Sequence, residues 1–296
     1  MTLTIQKLHP TFCGEVGPID LGATADPGML TELRAAMDEH AVLVFHDQQL
    51  TNREQIAFAG RLGGELNRRT LTRAMKKERS DDDSDAIANI SNLDADGDIL
   101  PPDDRRRLFG LADRLWHTDA TFNDPPGRYS MLYGRIVPPA AGDTHFADMR
   151  AAYDALPDET KSRLEGLRAF HSIAHSRAML GFEMTAEELA IQSGAWQPLV
   201  RTIPATGRRS LYLASHASMI EGWPVPEGRM FLHELIEHAT RPQFVYRHAW
   251  RSGDVVIWDN RTTMHRASAF DDRSHKRDMR RVTTLDIDGA PRLPAT

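Results

Sequence analysis

Two short runs far apart in the chain, Trp116-His117-Thr118-Asp119 and Trp258-Asp259-Asn260-Arg261, govern how everything between them is read. The second is closely followed by His265, Arg277 and Arg281. Together they hold two histidines, a carboxylate and a row of arginines. A fold that joins the runs puts all of these groups at one place. On an extended backbone, side chains i and i+2 point the same way, so His117 and Asp119 share a face and Thr118 points opposite.

The surrounding chain predicts such a fold. Residues 86–91, 128–137, 210–214, 244–250, 254–258 and 280–285 read as short strands. Residues 149–167 and 226–239 read as helices packed outside them. In the first part of the chain, residues 26–40 form a helical stripe through Leu30, Leu33, Ala36 and Met37, with Pro27 suited to a first helical position. Residues 41–45 are an apolar run suited to a buried strand. Thr51-Asn52-Arg53-Glu54 is a capping-box pattern before a helix that should end at Gly63-Gly64. Short strands through the second half imply an antiparallel barrel or sandwich with helical cover. No repeat or linker divides residues 1–296, so a single domain is expected. Residues 65–85 differ in composition: Arg68, Arg69, Arg73, Lys76, Lys77 and Arg79 precede Asp81, Asp82, Asp83 and Asp85. Such a charge run is either a solvated loop or a mobile lid that brings a cation to an anionic substrate.

Composition narrows the function classes. The 296 residues are 41% hydrophobic and 26% charged, an ordinary globular balance, and the net charge is −6, which disfavours general nucleic-acid binding. No apolar run approaches the roughly 20 residues needed to span a bilayer. The N-terminal stretch has no basic segment followed by an apolar core, so no signal peptide is expected. Cys13 is the single cysteine, which excludes an intrachain disulfide and suits a reducing cytoplasm.

Two histidines and one carboxylate on one face of a metal are the ligand set of mononuclear non-haem iron(II) oxygenases. His117 and Asp119 supply two ligands from one segment, and His265 is the best candidate for the third. Imidazole plus carboxylate suits iron(II), manganese or zinc. The spacing alone is weak: with 13 histidines and 42 acidic residues, chance yields about two His-x-Asp/Glu matches, and this chain has one. The arginines add weight. Arg277, Met279, Arg281 and Thr283 alternate along one face of the last expected strand, and an inward arginine needs an anion. The alternative is a pair of surface arginines in a basic stretch, which suits Arg280. Among the other histidines, His171, His175 and His216 could be core groups or pocket groups, and His216 follows an expected strand. Trp116 and Trp258 are expected to wall the site.

These residues resemble the TauD/TfdA family of iron(II)- and 2-oxoglutarate-dependent dioxygenases nearly end to end. The likeness runs through residues 41–45, 55–59 and 115–122, Gly142-Asp143-Thr144, and residues 146–153. It resumes through residues 255–261, Met264-His265-Arg266 and residues 277–284. It is strongest to the branch that degrades phenoxyacetate herbicides, in residues 148–156, 237–240 and 244–248. The resemblance implies a mainly β fold with flanking helices, a double-stranded β-helix (jelly roll, cupin-like). It implies His117, Asp119 and His265 as ligands of Fe(II), and Thr144 and Arg277 as the holders of the distal carboxylate of 2-oxoglutarate. Arg281 then pairs with the acidic group of the primary substrate and His216 contacts that substrate. O2 is the other cosubstrate.

The implied reaction hydroxylates a small anionic substrate, an aryloxyalkanoate such as 2,4-dichlorophenoxyacetate. The unstable product breaks to a phenol and glyoxylate, alongside succinate and CO2. An alkyl sulfonate, an alkyl sulfate or another aromatic acid fits the same chemistry. A metal- or ligand-binding jelly-roll module without catalysis, or a zinc hydrolase, is the reading of another class. Family habit implies a homo-oligomer, a dimer or tetramer. Ile203 stands where the branch commonly has a histidine, and residues 68–85 do not align with the family.

Overall fold

The structure, a computed structural model, describes residues 3–68, 84–191 and 194–287. Its strands, in chain order, are β1 (Ile5–Lys7), β2 (Gly14–Val16), β3 (Val42–Phe45), β4 (Ile87–Ser91), β5 (Gly127–Ile136), β6 (Thr144–Asp148), β7 (Arg168–His171), β8 (Ala195–Pro198), β9 (Val200–Thr202), β10 (Arg209–Leu211), β11 (Ala217–Ile220), β12 (Val245–His248), β13 (Val255–Asp259), β14 (Thr263–Ala267) and β15 (Asp278–Leu285). Seven form one sheet in the order β1-β2-β3-β13-β5-β15-β4, antiparallel except between β2 and β3. A smaller antiparallel sheet runs β12-β6-β14.

The two sheets meet through their inner faces. Phe146 of β6 packs against Trp258 of β13 at 5.4 Å between ring centroids, within a cluster that includes Val44, Leu132, Val256 and Met279. Strand alternation then sends the next side chains outward. Val255, Ile257, Met131 and Val282 meet the helices Pro27–His40 and Asn52–Gly63 through Leu33, Met37, Phe58 and Leu62. Ala147 and Met264 meet the helix Val225–Ala239 through Phe231, Leu232 and Leu235. A mainly β chain flanked by helices is therefore what forms, and each sheet has helical cover on its outer side.

Local chemistry accounts for the helices. Asp26 caps Pro27–His40 by accepting from the Met29 N–H at 2.7 Å. The capping box at Thr51 and Glu54 is complete, and Gly64 ends that helix. Gln55 is buried and donates to the carbonyls of Met131 and Arg280 at 3.2 and 2.9 Å, so the helix is tied to β5 and β15.

The expected helix over 149–167 is two helices, Met149–Asp154 and Asp158–Leu164. Pro157 between them has no N–H to continue a helical ladder and disfavours helix in the residue before it. The strand expected over 210–214 is confined to Arg209–Leu211. Most of the expected lid, residues 69–83, lies outside the described residues. Its flanks are fixed: Leu66 bridges Thr284, the Asn67 N–H donates to the Thr283 carbonyl at 2.8 Å, and Ser84–Ala86 forms a 3-10 turn leading into β4. Both flanks thus join the edge of the large sheet beside β15.

Thr51→Ala removes the cap hydroxyl and should lower unfolding free energy by about 1 kcal/mol. Urea denaturation followed by circular dichroism measures it, and an unchanged midpoint would contradict this account of the helix start.

Candidate active site

His117 and His265 are brought together by backbone pairing. They form an isolated antiparallel bridge in which His117 N–H donates to the His265 carbonyl at 2.9 Å and His265 N–H donates back at 2.8 Å. The extended stretch expected at 117–119 is short: the bridge is a single pair, and a turn begins at Asp119. The alternation survives nonetheless. Thr118 points away and its hydroxyl reaches the carbonyls of Leu213 and Thr263, at 2.9 and 3.0 Å. Trp116 also points away from the bridge's inner side: it stacks under Arg266 and lies edge-on to His145, so Trp258 alone of the two tryptophans walls the site.

One ligand atom from each of His117, Asp119 and His265 lies within 4.8 Å of the others, and all three residues are buried. Nε2 of His117 is 3.9 Å from Asp119 Oδ1 and Nε2 of His265 is 3.8 Å from Asp119 Oδ2. Nδ1 of His117 donates to the Leu115 carbonyl at 2.8 Å, which leaves a lone pair on Nε2 facing the carboxylate. The His265 ring is held by Trp258, 4.6 Å away, and stacks on Phe146 with 26° between ring planes. Burial, reinforced by His117 and Arg281, pushes its pKa well down, so the ring is neutral as a metal ligand must be. Two imidazoles and one carboxylate converging at this spacing fit a divalent metal of the iron or manganese type.

The carboxylate is held from behind. Ser130 Oγ–H donates to Asp119 Oδ2 at 2.7 Å. Asn260 Nδ2 donates to the same serine oxygen at 2.9 Å. The Asn260 orientation is fixed because its Oδ1 accepts two N–H groups, from the Asp119 backbone and the Trp258 indole, each at 3.1 Å. Thr283 Oγ1 completes the group, 3.0 Å from Ser130 Oγ. Gly127 allows the turn to approach β5, since a Cβ there would come within 2.9 Å of the Asp119 carbonyl. Ser130 and Gly127 were not singled out in the sequence, Thr283 was placed only on the face of Arg277 and Arg281, and Asn260 only within its run. The Trp258-Asp259-Asn260-Arg261 run was a signal for Asn260, whereas the others depend on strand register.

The two arginines divide. Arg277 precedes β15, and Asn92 fixes its backbone by accepting its N–H at 2.8 Å. Its guanidinium is buried, with no carboxylate of the described residues in ion-pair range. Burial pushes its pKa down to about 10, against a weaker pull from Asp113. Arg281 Nη1 donates to Asp119 Oδ1 at 2.5 Å, while its Nε is buried without a partner among the described residues. Thr144, at the start of β6, is buried and accepts the Trp250 indole N–H at 2.9 Å, so its own proton is free to face a ligand. His216 is also buried beside the site, its ring centroid 5.9 Å from that of His117. His171 contributes through Thr121 rather than directly. The His175 backbone N–H donates to Ser172 Oγ, which caps its helix, and its ring has no described role at the site.

The chain matches the family model described as taurine catabolism dioxygenase TauD, TfdA family, over residues 4–283. It is 44% identical over 293 residues to an alpha-ketoglutarate-dependent 2,4-dichlorophenoxyacetate dioxygenase of Burkholderia sp. (strain RASC), covering 96% of this chain and 95% of the relative. It is 45% identical to the protein of the same description from Cupriavidus pinatubonensis, covering 97% and 99%. Among solved structures, AAD-2 in complex with Mn(II) and N-oxalylglycine superposes with a TM-score of 0.91 at 46% identity, over 96% of this chain and 98% of that one.

Ser130→Ala removes the donor behind Asp119 and should weaken metal binding by about 10- to 100-fold with the fold intact. Anaerobic Mn(II) titration read by electron paramagnetic resonance tests this; wild-type affinity would rule out the serine as a support of the ligand.

Proposed function

The chain belongs to the taurine catabolism dioxygenase TauD, TfdA family, and we propose that it hydroxylates an aryloxyalkanoate such as 2,4-dichlorophenoxyacetate, using Fe(II), 2-oxoglutarate and O2. The observation that carries the reading is the pairing of two features: the buried trio His117, Asp119 and His265, and a buried Arg277 that has no acidic partner among the described residues. A binding module or a hydrolytic zinc site has no use for the second feature. Near-full-length identity of 44–45% to 2,4-dichlorophenoxyacetate dioxygenases supports the substrate class.

His117, Asp119 and His265 would hold the metal, and Arg277 with Thr144 would hold the distal carboxylate of 2-oxoglutarate. The bound metal, with 2-oxoglutarate and O2, supplies the oxidation that ends in succinate, CO2 and a hydroxylated substrate carbon. Arg281 aims the substrate. One of its edges bonds Asp119, and its Nε remains for the substrate carboxylate. An anion held there would lie beside the metal ligands. Hydroxylation beside the ether oxygen gives a hemiacetal, whose C–O bond breaks to release a phenol and glyoxylate. Trp258, Phe146 and His216 surround the site with buried ring surface and limit water.

We assign the paired sheets to a double-stranded β-helix, with residues 1–296 as one domain. A small anion is the partner, and a homo-oligomer is carried over from family habit. A cytoplasmic setting suits a single, buried cysteine.

His117→Ala, Asp119→Ala and His265→Ala should each abolish substrate-stimulated succinate release; full turnover by two of the three would end the ligand assignment. Arg277→Ala should raise KM for 2-oxoglutarate, and Arg281→Ala the KM for the substrate, each by about tenfold or more for loss of a charge-assisted bond. Equal losses for both ligands would contradict the division. A panel of aryloxyalkanoates, alkyl sulfonates and alkyl sulfates identifies the class: phenol release supports the proposal, whereas sulfite or sulfate release alone replaces it.

A further inference from the structure

His216 is buried at the side of the metal site, edge-on to Phe122 at 5.0 Å between ring centroids. Its Nδ1 lies 3.3 Å from Thr121 Oγ1. The same hydroxyl lies 2.9 Å from Nδ1 of His171, which is wholly enclosed. These two ring nitrogens are the hydroxyl's partners among the described residues. A hydroxyl has one proton to give, so one histidine accepts it and the other must donate its own.

The two arrangements differ at the far side of each ring. If Thr121 donates to His171, the His171 proton sits on Nε2, an atom buried with no partner among the described residues. An orphaned buried N–H is the rarest kind of unpaired polar group. If His171 Nδ1–H donates to Thr121 and Thr121 donates to His216, the unpaired atom is only a lone pair. The shorter of the two contacts is then the N–H···O bond. Burial, which pushes the His171 pKa down to about 3, keeps that ring neutral in either case.

We infer that His171 and Thr121 are positioning residues that hold His216 with its proton on Nε2, so that it offers a hydrogen-bond donor to an acceptor oxygen of the primary substrate. This deepens the reading of His216 as a substrate contact and rests on it. The tautomer matters because a bare Nε2 could only accept a hydrogen bond, and the substrate oxygens are acceptors too. As N–H it matches the carboxylate or ether oxygen of an aryloxyalkanoate. The relay therefore selects substrates that carry an acceptor at that place.

The test uses the full chain loaded with Zn(II) and 2-oxoglutarate, with histidine labelled by nitrogen-15 and the His216 signals assigned by their loss in His216→Asn. Long-range proton–nitrogen spectra should show a pyrrole-like Nε2 and a pyridine-like Nδ1 at His216 in the wild type and in Thr121→Ser, which keeps the hydroxyl. Thr121→Val should lose that bias and, in the Fe(II)-loaded enzyme, raise KM for 2,4-dichlorophenoxyacetate about tenfold, the loss of one hydrogen bond to a charged group, with KM for 2-oxoglutarate and zinc affinity unchanged. A proton on Nδ1 of His216 in the wild type overturns the inference. So does an unchanged substrate KM in Thr121→Val, or a loss of zinc affinity large enough to account for the change. If no aryloxyalkanoate is turned over, the substrate assignment fails separately, and the tautomer spectra alone decide the relay.

Discussion

The site depends on one reciprocal contact, the two N–H···O bonds exchanged by His117 and His265. An antiparallel pair of this kind holds its two residues roughly 5.5 Å apart between Cα atoms, close enough for the two rings to converge at 4.1 Å. Among the described residues, no ladder of neighbouring strand pairs supports it on the His117 side. Instead, side chains and loop backbone do the stitching: Thr118 reaches two carbonyls, Asn260 accepts the Asp119 N–H, and Ser215 N–H donates to the Trp116 carbonyl. The short segment is thereby held in a ligand-presenting shape while its turn remains free of strand geometry. Gly127 then lets β5 approach that turn closely.

The other half of the contact is set by the corner between β13 and β14. Asp259 is fully enclosed, and burial opposes its charge. Arg261, bonded through its guanidinium and its backbone N–H, outweighs that penalty and keeps the carboxylate below its ordinary range. Such a buried pair adds little net stability over an apolar replacement, but losing either partner strands a charge. Its value here is positional. With Asp259 and Arg261 locked, Asn260 between them has one orientation, and the Thr262 and Thr263 contacts to the Asp259 carbonyl begin β14 with His265 facing inward. The run Trp258-Asp259-Asn260-Arg261 is thus a scaffold for the ligand that follows it as much as part of the site.

Much of this was legible in the chain because it depends on local rules. Residue spacing put His117 and Asp119 on one face, the capping box fixed a helix start, and the strand runs of the second half implied two-sided sheet packing. What was not legible depends on register. Ser130 lies behind Asp119 only because β5 and β15 align with the turn, and Thr283 joins it from another strand. The strands β6 and β14, which carry Thr144 and His265, are five residues each and mix polar with apolar side chains, so their pattern is weak until both faces are seen to be buried. The Thr121 relay joins residues from three separate segments, and no spacing rule connects them. The split at Pro157, by contrast, was available from proline's missing N–H.

Sequence alternation treats Arg277 and Arg281 alike, whereas their surroundings do not. Burial lowers the Arg277 pKa only to about 10, so the guanidinium stays protonated at neutral pH and is a buried cation without a bonded counter-ion among the described residues. Its unmet demand for an anion is large, because an unpaired buried charge is strongly disfavoured. Arg281 already has the Asp119 carboxylate on one edge and is partly exposed, so a second anion gains less there. The electrostatics therefore rank the two positions: an anion gains more at Arg277, whereas an anion at Arg281 would meet a guanidinium already shared with the Asp119 carboxylate. That sharing would link anion binding at Arg281 to the geometry of Asp119, because any pull on Arg281 is transmitted through a single hydrogen bond to that carboxylate.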